Sequence, residues 1–325
     1  MTGLQASRRD AAHVLDSAVA AFLAGIARDG SGPMAAADIA GTRVALARLQ
    51  SVPVDAPQVA TEDLDLPVGP TGRVGIRILR PAIANGRPLP FILYLHGGGW
   101  IMGGKATHDR LMRDLVEGSG AVVVCVDYAL APEVTYPAQI EQAYATLRYL
   151  AAHAADHGLD ASRIAVAGDC AGGTMAAAVA MLAKQRRGPE IVFQLLFYPI
   201  LAEPQPTDGA SGPWLNRAMI CRYIDAAFPD PASRRLPTAF PLLATPEALN
   251  DLPPALVIVA EADPLCGQGE DYARRLVEAG VRATATRHLG TIHDFVALNA
   301  LADTPAARGA IAEATAALRQ ALYGP

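Results

Sequence analysis

The stretch from Arg163 to Lys184, RIAVAGDCAGGTMAAAVAMLAK, constrains the fold more than any other part of the chain. Ile164 to Ala167 is a short apolar run of the length of a buried strand. It meets the corner Gly168-Asp169-Cys170-Ala171-Gly172-Gly173 and continues into a long segment of small residues with helical character. Strand, sharp turn and buried helix form the basic unit of an α/β sheet, and glycines flanking the corner let the helix approach the strand. The corner has the form Gly-x-nucleophile-x-Gly, in which the middle residue sits in a strained turn at the sheet's upper edge. That middle residue is Cys170. In isolation the hexapeptide also fits a plain turn with a buried cysteine, because a free cysteine behaves as a small hydrophobe.

The flanking pattern is that of an α/β sheet. Residues 91–95, 121–126, 164–167, 192–197, 255–260 and 283–289 are apolar runs of strand length. Helical patterns fall between them, near 109–117, 137–157, 172–186 and 267–279, and Ile140, Ala143, Leu147 and Leu150 give the second an apolar stripe. Alternation of this kind predicts a mostly parallel sheet covered on both faces. Ahead of it, 58–68 and 72–79 flank Gly69-Pro70-Thr71 as a β-hairpin. Earlier still, Leu15, Val19, Phe22 and Ile26 mark an amphipathic helix ended at Gly30, and a second helical piece covers roughly 35–49. Thr304-Pro305 opens the last helix as N-cap and first turn. The alternation breaks between Pro199 and Pro254, where an insertion rich in Pro and Gly carries one helical pattern at 216–228. An excursion at this point serves either as a lid over the strand ends or as a decorated loop, and the lid is the favoured reading.

Several function classes are excluded at this level. The 325 residues carry a net charge of −5 with no basic run beyond Arg186-Arg187 or Arg234-Arg235, so no nucleic acid is expected as partner. Cys125, Cys170, Cys221 and Cys266 are widely spaced with no C-x-x-C, which suggests neither a zinc site nor a disulfide framework and fits a reducing cytoplasm. Asp16 interrupts the apolar stretch after Arg8 and Arg9, no signal-peptidase pattern follows, and the uncharged run 171–183 is too short to span a bilayer; no membrane association is expected.

Three features give the corner chemistry. Tyr94-Leu95-His96-Gly97-Gly98-Gly99-Trp100 directly follows a strand, and its glycines can present backbone N–H groups to a ligand, an oxyanion hole in outline. Gly98, Gly99 and the N–H of Ala171, after the nucleophile, are its candidate donors. Asp263 lies three residues past the strand 255–260, at the edge where open α/β sheets bind ligands, though an Asp there also suits a cap for the helix that follows. His293 lies in the loop 290–295 after the last strand. Of the other histidines, His288 falls within a strand, His13, His153 and His157 on helices, and His96 is better placed to shape the glycine loop; His108 has no assigned role. The order nucleophile, acid, histidine is that of the α/β-hydrolases, and the conjunction is far more specific than any one part.

With HGGGW (96–100), DYALAPE (127–133), GDCAGG (168–173), LPPALVIVAEADPL (252–265) and GTIHDF (290–295) in view, the chain resembles the hormone-sensitive-lipase-like branch of the α/β-hydrolases, a group of bacterial esterases and lipases. The resemblance runs from Pro90 to the C-terminus. It implies an α/β-hydrolase fold with a mostly parallel central sheet flanked by helices and a helical cap. The cap would comprise residues 1–55 and a second segment at 200–245, on a core of 56–325. Trp100, Asp169, Trp214 and Leu215 are then expected to bind substrate, and the triad to be Cys170, Asp263 and His293. Two departures stand out: Asp294 follows the histidine where the family often has Gly, a change expected to matter little, and Cys170 takes the place of serine.

None of the eight serines lies in another such corner, so covalent chemistry falls to Cys170. A thiol of ordinary pKa about 8.5 can pair with a histidine as thiolate and imidazolium and needs less help from a base than a hydroxyl. Sulfur is also larger than oxygen, so an oxyanion hole shaped for serine fits it less well. Two origins stand side by side, a natural cysteine enzyme and an engineered variant of a serine esterase. The expectation is a cytoplasmic carboxylic-ester hydrolase for small-molecule short-acyl esters, with no metal or organic cofactor and a homodimer as candidate assembly. An acyltransferase working through the same S-acyl intermediate is the alternative, and a non-catalytic ligand-binding protein is the rival from another class. Among the thiols Cys266, close to the triad acid in sequence, is the expected competitor of Cys170 for alkylation.

Overall fold

The structure, a computed structural model, describes residues 13–30, 38–82, 86–205 and 212–324. Two helices, α1 (Ser17–Asp29) and α2 (Ile39–Leu49), precede the hairpin β1 (Val59–Leu66) and β2 (Val74–Pro81). The chain continues through β3 (Leu89–Leu95), α3 (Asp109–Ser119), β4 (Val122–Asp127), α4 (Ala138–Ala152), β5 (Leu159–Asp169), α5 (Ala171–Gln185) and β6 (Phe193–Phe197). After α6 (Arg217–Ala227) and the short α7 (Pro246–Leu249) come β7 (Ala255–Ala262), α8 (Cys266–Glu278), β8 (Ala283–Ile292) and α9 (Pro305–Tyr323).

The eight strands form one sheet in the order β1-β2-β4-β3-β5-β6-β7-β8. Six run parallel, while β2 is antiparallel to both β1 and β4. Residues 90–95, 122–126 and 164–169 are buried without interruption, as strands covered on both faces must be. All six apolar runs are strands, but β5 starts earlier and β8 ends later than its apolar run. Backbone pairing at Leu89–Leu159 and Ala262–Ile292 extends the ladder past the ends of those runs.

Strand order places the site. From β3 the chain crosses to β4 on one side, and from β5 it crosses to β6 on the other, so no crossover covers the crevice between the C-terminal ends of β3 and β5. Leu95 pairs with Gly168, so the glycine loop and the cysteine corner emerge side by side.

The outlying helices are held by their caps. The Asp16 carboxylate accepts from Ala18 N at 2.8 Å, and Gly30 closes α1 in the left-handed region at φ 58°. Asp38 accepts from Gly41 N at 2.7 Å and starts α2; residues 35–37 of the expected helix lie outside the described residues. Arg43 of α2 donates to Ile101 O at 2.6 Å, to Ala131 O at 2.8 Å and to Glu133, binding α2 to the loops after β3 and β4. The Thr304 hydroxyl caps α9 as expected. Two helix assignments are corrected. His13 precedes α1, and α4 stops at Ala152, where the chain tightens into a 3₁₀ turn ending at left-handed Gly158, so His153 and His157 lie past it.

Candidate active site

Cys170 has φ 52° and ψ −119°, a conformation that L-residues avoid unless their surroundings impose it. Those surroundings are close backbone contacts. A Cβ on Gly172 would sit 1.9 Å from Leu95 O, and one on Gly168 would sit 2.3 Å from Gly172 O, so only glycine lets α5 start this near to β3. Cys170 N donates to Phe197 O at 2.9 Å, and its carbonyl accepts from Thr174 N at 3.2 Å. The side chain, 4 % exposed, lines a cavity of about 40 Å³ together with Gly98, Gly99, His108, His293 and Asp294.

His293 and Asp263 are also brought here. His293 Nδ1 lies 2.7 Å from Asp263 Oδ2, and Asp263 Oδ1 accepts from Leu265 N at 2.9 Å. The carboxylate makes Nδ1 the donor and turns Nε2 to the cavity, where Nε2 has no hydrogen-bond partner among the described residues. Burial works against a charged imidazole, yet the charges of Asp263, Asp294 and Cys170 and the hydrogen bond to Asp263 outweigh it and hold His293 well above the ordinary histidine pKa. Cys170 Sγ, a ring nitrogen of His293 and a carboxylate oxygen of Asp294 lie within 4.8 Å of one another.

Asp294, the departure expected to matter little, lies inside the site. It adopts φ 66°, a conformation that suits glycine, and its carboxylate lines the cavity with Oδ1 3.4 Å from His293 Nε2. Trp214 Nε1, from the insertion, donates to Oδ2 at 3.0 Å. Burial raises the Asp294 carboxyl above the usual range, opposed by the His293 charge and the Trp214 hydrogen bond.

The glycine loop has its own support. Asp169 Oδ1 accepts from Gly97 N at 2.9 Å and from the Tyr94 hydroxyl, and Oδ2 lies 3.3 Å from His108 Nε2. Asp169 is fully buried beneath the loop, where a Cβ on Gly97 would sit 2.1 Å from its Oδ2, and it does not line the cavity. The expected substrate contact at Asp169 is thus corrected to loop support. Burial disfavours both charges of this pair, but mutual attraction and hydrogen bonding leave Asp169 below and His108 above their ordinary values. His96 shapes the loop as expected: its Nδ1 lies 2.8 Å from Gly97 O, its ring stacks on Tyr128 at 4.1 Å, and burial with the nearby His108 charge lowers it to about 3, so it is neutral.

Trp100 is likewise corrected. It is 2 % exposed, packs edge-on against Phe228 with centroids 5.0 Å apart, and contributes nothing to the cavity wall. Trp214 and Leu215 do line it. Sequence reading missed Gln50 and Tyr223. Gln50 Nε2 donates to Thr107 O at 2.7 Å and Ala297 O at 2.8 Å, tying the end of α2 to the loops bearing His108 and His293. A Cβ on Gly99 would lie 2.4 Å from the Tyr223 ring. Neither residue belongs to a motif, so no local signal marks them.

Burial pushes the Cys266 thiol up to about 12, and Cys125 is fully buried with its thiol pushed well up. Cys221, half-buried, replaces Cys266 as the accessible competitor of Cys170. A larger cavity, about 1410 Å³, opens at the N-terminal ends of β6, β7 and β8 beside Lys184, Arg187 and Arg282, but no Cys, Ser or His lines it.

Comparison with known proteins agrees with this geometry. The profile of a family described by its alpha/beta hydrolase fold matches residues 92–297. A carboxylesterase of Mycobacterium tuberculosis is 39% identical over 294 residues, covering 87% of this chain and 90% of its own. An ethyl acetate hydrolase of Pseudomonas putida is 33% identical, covering 74% of this chain and 76% of its own. Among solved structures, a thermostable esterase from Pseudomonas putida superposes with a TM-score of 0.91 at 38% identity, covering 95% of this chain and 98% of its own. A hyperthermophilic esterase from Pyrobaculum calidifontis gives 0.81 at 34% identity, covering 94% and 98%. The chain belongs to the alpha/beta hydrolase fold family and is a hydrolase whose relatives are esterases.

Proposed function

We propose that this protein is a carboxylic-ester hydrolase for short-acyl esters, working through a Cys170–His293–Asp263 triad and an S-acyl intermediate. The observation that carries this reading is Cys170 at a positive-φ corner within 4.8 Å of His293, whose far nitrogen is held by Asp263 at 2.7 Å. Cys170 Sγ attacks the acyl carbon, and the N–H groups of Gly98, Gly99 and Ala171 receive the developing oxyanion. His293 gives its Nε2 proton to the departing alkoxide, which leaves a thioester on Cys170 and a neutral imidazole. That imidazole takes a proton from water as the water attacks the thioester carbon. The acid then departs as the C–S bond breaks, which restores the Cys170 thiolate beside protonated His293.

Residues 1–55 and 200–245 act in this reading as a cap over the 56–325 core, because Gln50, Trp214, Leu215 and Tyr223 line the cavity with the triad. The cavity between cap and core is narrow, about 40 Å³. A small chamber supports short acyl groups. Four free thiols support a reducing compartment, the cytoplasm. Among the described residues no helix is long and apolar enough to cross a membrane.

Mass spectrometry after brief exposure to p-nitrophenyl acetate tests the mechanism. The expected result is one acetyl group on Cys170 that decays in water. Decay only when an amine or alcohol is added would make the protein an acyltransferase, and no acetyl mass with tight ligand retention would make it a binding protein. A rate profile across acyl lengths tests the substrate class, and equal or higher kcat/KM for palmitoyl than for butyryl esters would refute it.

A further inference from the structure

Cysteine, histidine and carboxylate donors converge in the cavity from two loops far apart in sequence. Cys170 Sγ, a ring nitrogen of His293 and a carboxylate oxygen of Asp294 are within 4.8 Å of one another, and His293 Nε2 stands 3.4 Å from Asp294 Oδ1. We propose that these three residues bind one soft divalent cation of the Zn2+ class, and that the bound ion blocks turnover.

The geometry suits such an ion. Zinc takes S at about 2.3 Å and N and O at about 2.0 to 2.2 Å, so two ligands of one tetrahedral ion are about 3.3 Å apart. The nitrogen and the carboxylate oxygen already have that separation, and sulfur has to close by on the order of 1 Å to reach a tetrahedral position. The outer contacts are also present. Asp263 holds His293 Nδ1 at 2.7 Å, the carboxylate–histidine arrangement that orients an imidazole toward a metal, and Trp214 Nε1 holds Asp294 Oδ2 at 3.0 Å, leaving Oδ1 for the ion. His293 Nε2 is buried and makes no hydrogen bond among the described residues, its one charged neighbour being the Asp294 Oδ1 that would share the ion at 3.4 Å. Sulfur binds as the thiolate, the proton carried on His293 Nε2 passes to solvent as that nitrogen binds the metal, and water from the cavity completes the coordination. A thiolate and an imidazole favour Zn2+, Cd2+ and Co2+ over Mg2+ or Ca2+, which require oxygen ligands. With serine at position 170 and glycine at 294, two of the three donors would be weak or missing.

The cation site rests on geometry alone, whereas inhibition also rests on the esterase reading. Titration of the purified protein with Co2+ separates the two, because a thiolate-to-cobalt charge-transfer band needs no turnover. The expected result is a band saturating at one equivalent, displaced by Zn2+, absent in Cys170→Ser, weakened at least about tenfold in Asp294→Asn and unchanged in Cys221→Ser. Zn2+ should then inhibit ester hydrolysis, and a chelator should restore it. Carboxymethylating Cys170 in the folded protein is a second way to remove the sulfur. The site is refuted by absence of a saturable band, by a band that survives loss of the Cys170 sulfur, or by unchanged affinity in folded Asp294→Asn.

Discussion

His293 with Asp263 and His108 with Asp169 are both buried imidazole–carboxylate pairs, and both histidines line the same cavity. Their surroundings differ at the nitrogen that faces away from the carboxylate. His108 Nδ1 lies 2.9 Å from the Thr107 hydroxyl, and Asp169 serves Gly97 and Tyr94 as well, so this pair is closed on itself and fixes the glycine loop. His293 Nε2 makes no hydrogen bond among the described residues and sits beside a thiol, with Asp294 Oδ1 3.4 Å away. Identical side-chain chemistry supports a loop in one place and is available for proton transfer in the other, and the open valence of one nitrogen makes the difference.

The largest expected effect is the removal of that nitrogen. His293→Gln should lower kcat/KM for p-nitrophenyl butyrate by about 10² to 10⁴, the range of a lost general acid–base, with circular dichroism unchanged. An equal loss of rate in His108→Gln with intact fold would erase the distinction between the pairs.

Next comes the closed pair. Asp169→Asn should destabilise the fold by about 3 kcal/mol in urea denaturation, since it breaks a fully buried ion pair. The pH dependence is specific. Asp169 lies below its ordinary value, so its contribution is present above about pH 3.9 and fades as pH falls through the lowered folded value. His108 lies above its ordinary value, so its contribution is full below about pH 6.5 and fades as pH rises through the raised folded value. The variant should lose both slopes, and an unchanged stability profile would remove Asp169 from its supporting role.

Cys170→Ser asks whether the open pair is tuned for sulfur or oxygen. If sulfur misplaces the oxyanion, serine should raise kcat on ethyl butyrate by about a hundredfold, the worth of one oxyanion donor. The gain should be smaller on p-nitrophenyl butyrate, whose leaving group departs readily from either nucleophile. A folded variant slower on both esters would mean a pocket built around sulfur.

The smallest effect belongs to Asp294, the feature that the closed pair lacks. Deacylation needs neutral His293, and Asp294 helps to hold the imidazolium; once Cys170 is acylated only the two carboxylates continue to do so. Acyl-enzyme should therefore persist at neutral pH and decay faster as pH rises. Asp294→Asn should lower the midpoint of that dependence by about one pH unit, with decay at neutral pH up to about tenfold faster. An unmoved midpoint in acyl decay followed by mass spectrometry would show that Asp294 has no hold on His293.

Much of this protein is determined by sequence alone. Apolar runs of strand length separated by helical patterns specify a parallel sheet covered on both faces, because each run has to bury two faces at once. The corner around Cys170 is legible because a Cβ on Gly168 or Gly172 would come within 2.3 Å or 1.9 Å of a backbone oxygen, so local sequence and close packing impose the same residue. The proposed triad is legible because its members fall at strand ends in a set order. Only the tertiary structure decides the rest. Asp169 and Trp100 sit in motifs beside the site, yet one turns beneath the glycine loop and the other packs on Phe228, and side-chain direction at a chain reversal depends on contacts distant in sequence. Gln50 and Tyr223 belong to no pattern, and Asp294 stands in GTIHDF only as a departure from the frequent glycine. Their place at the cavity arises where an insertion, an N-terminal helix and two sheet-end loops meet, a juxtaposition that no single segment encodes.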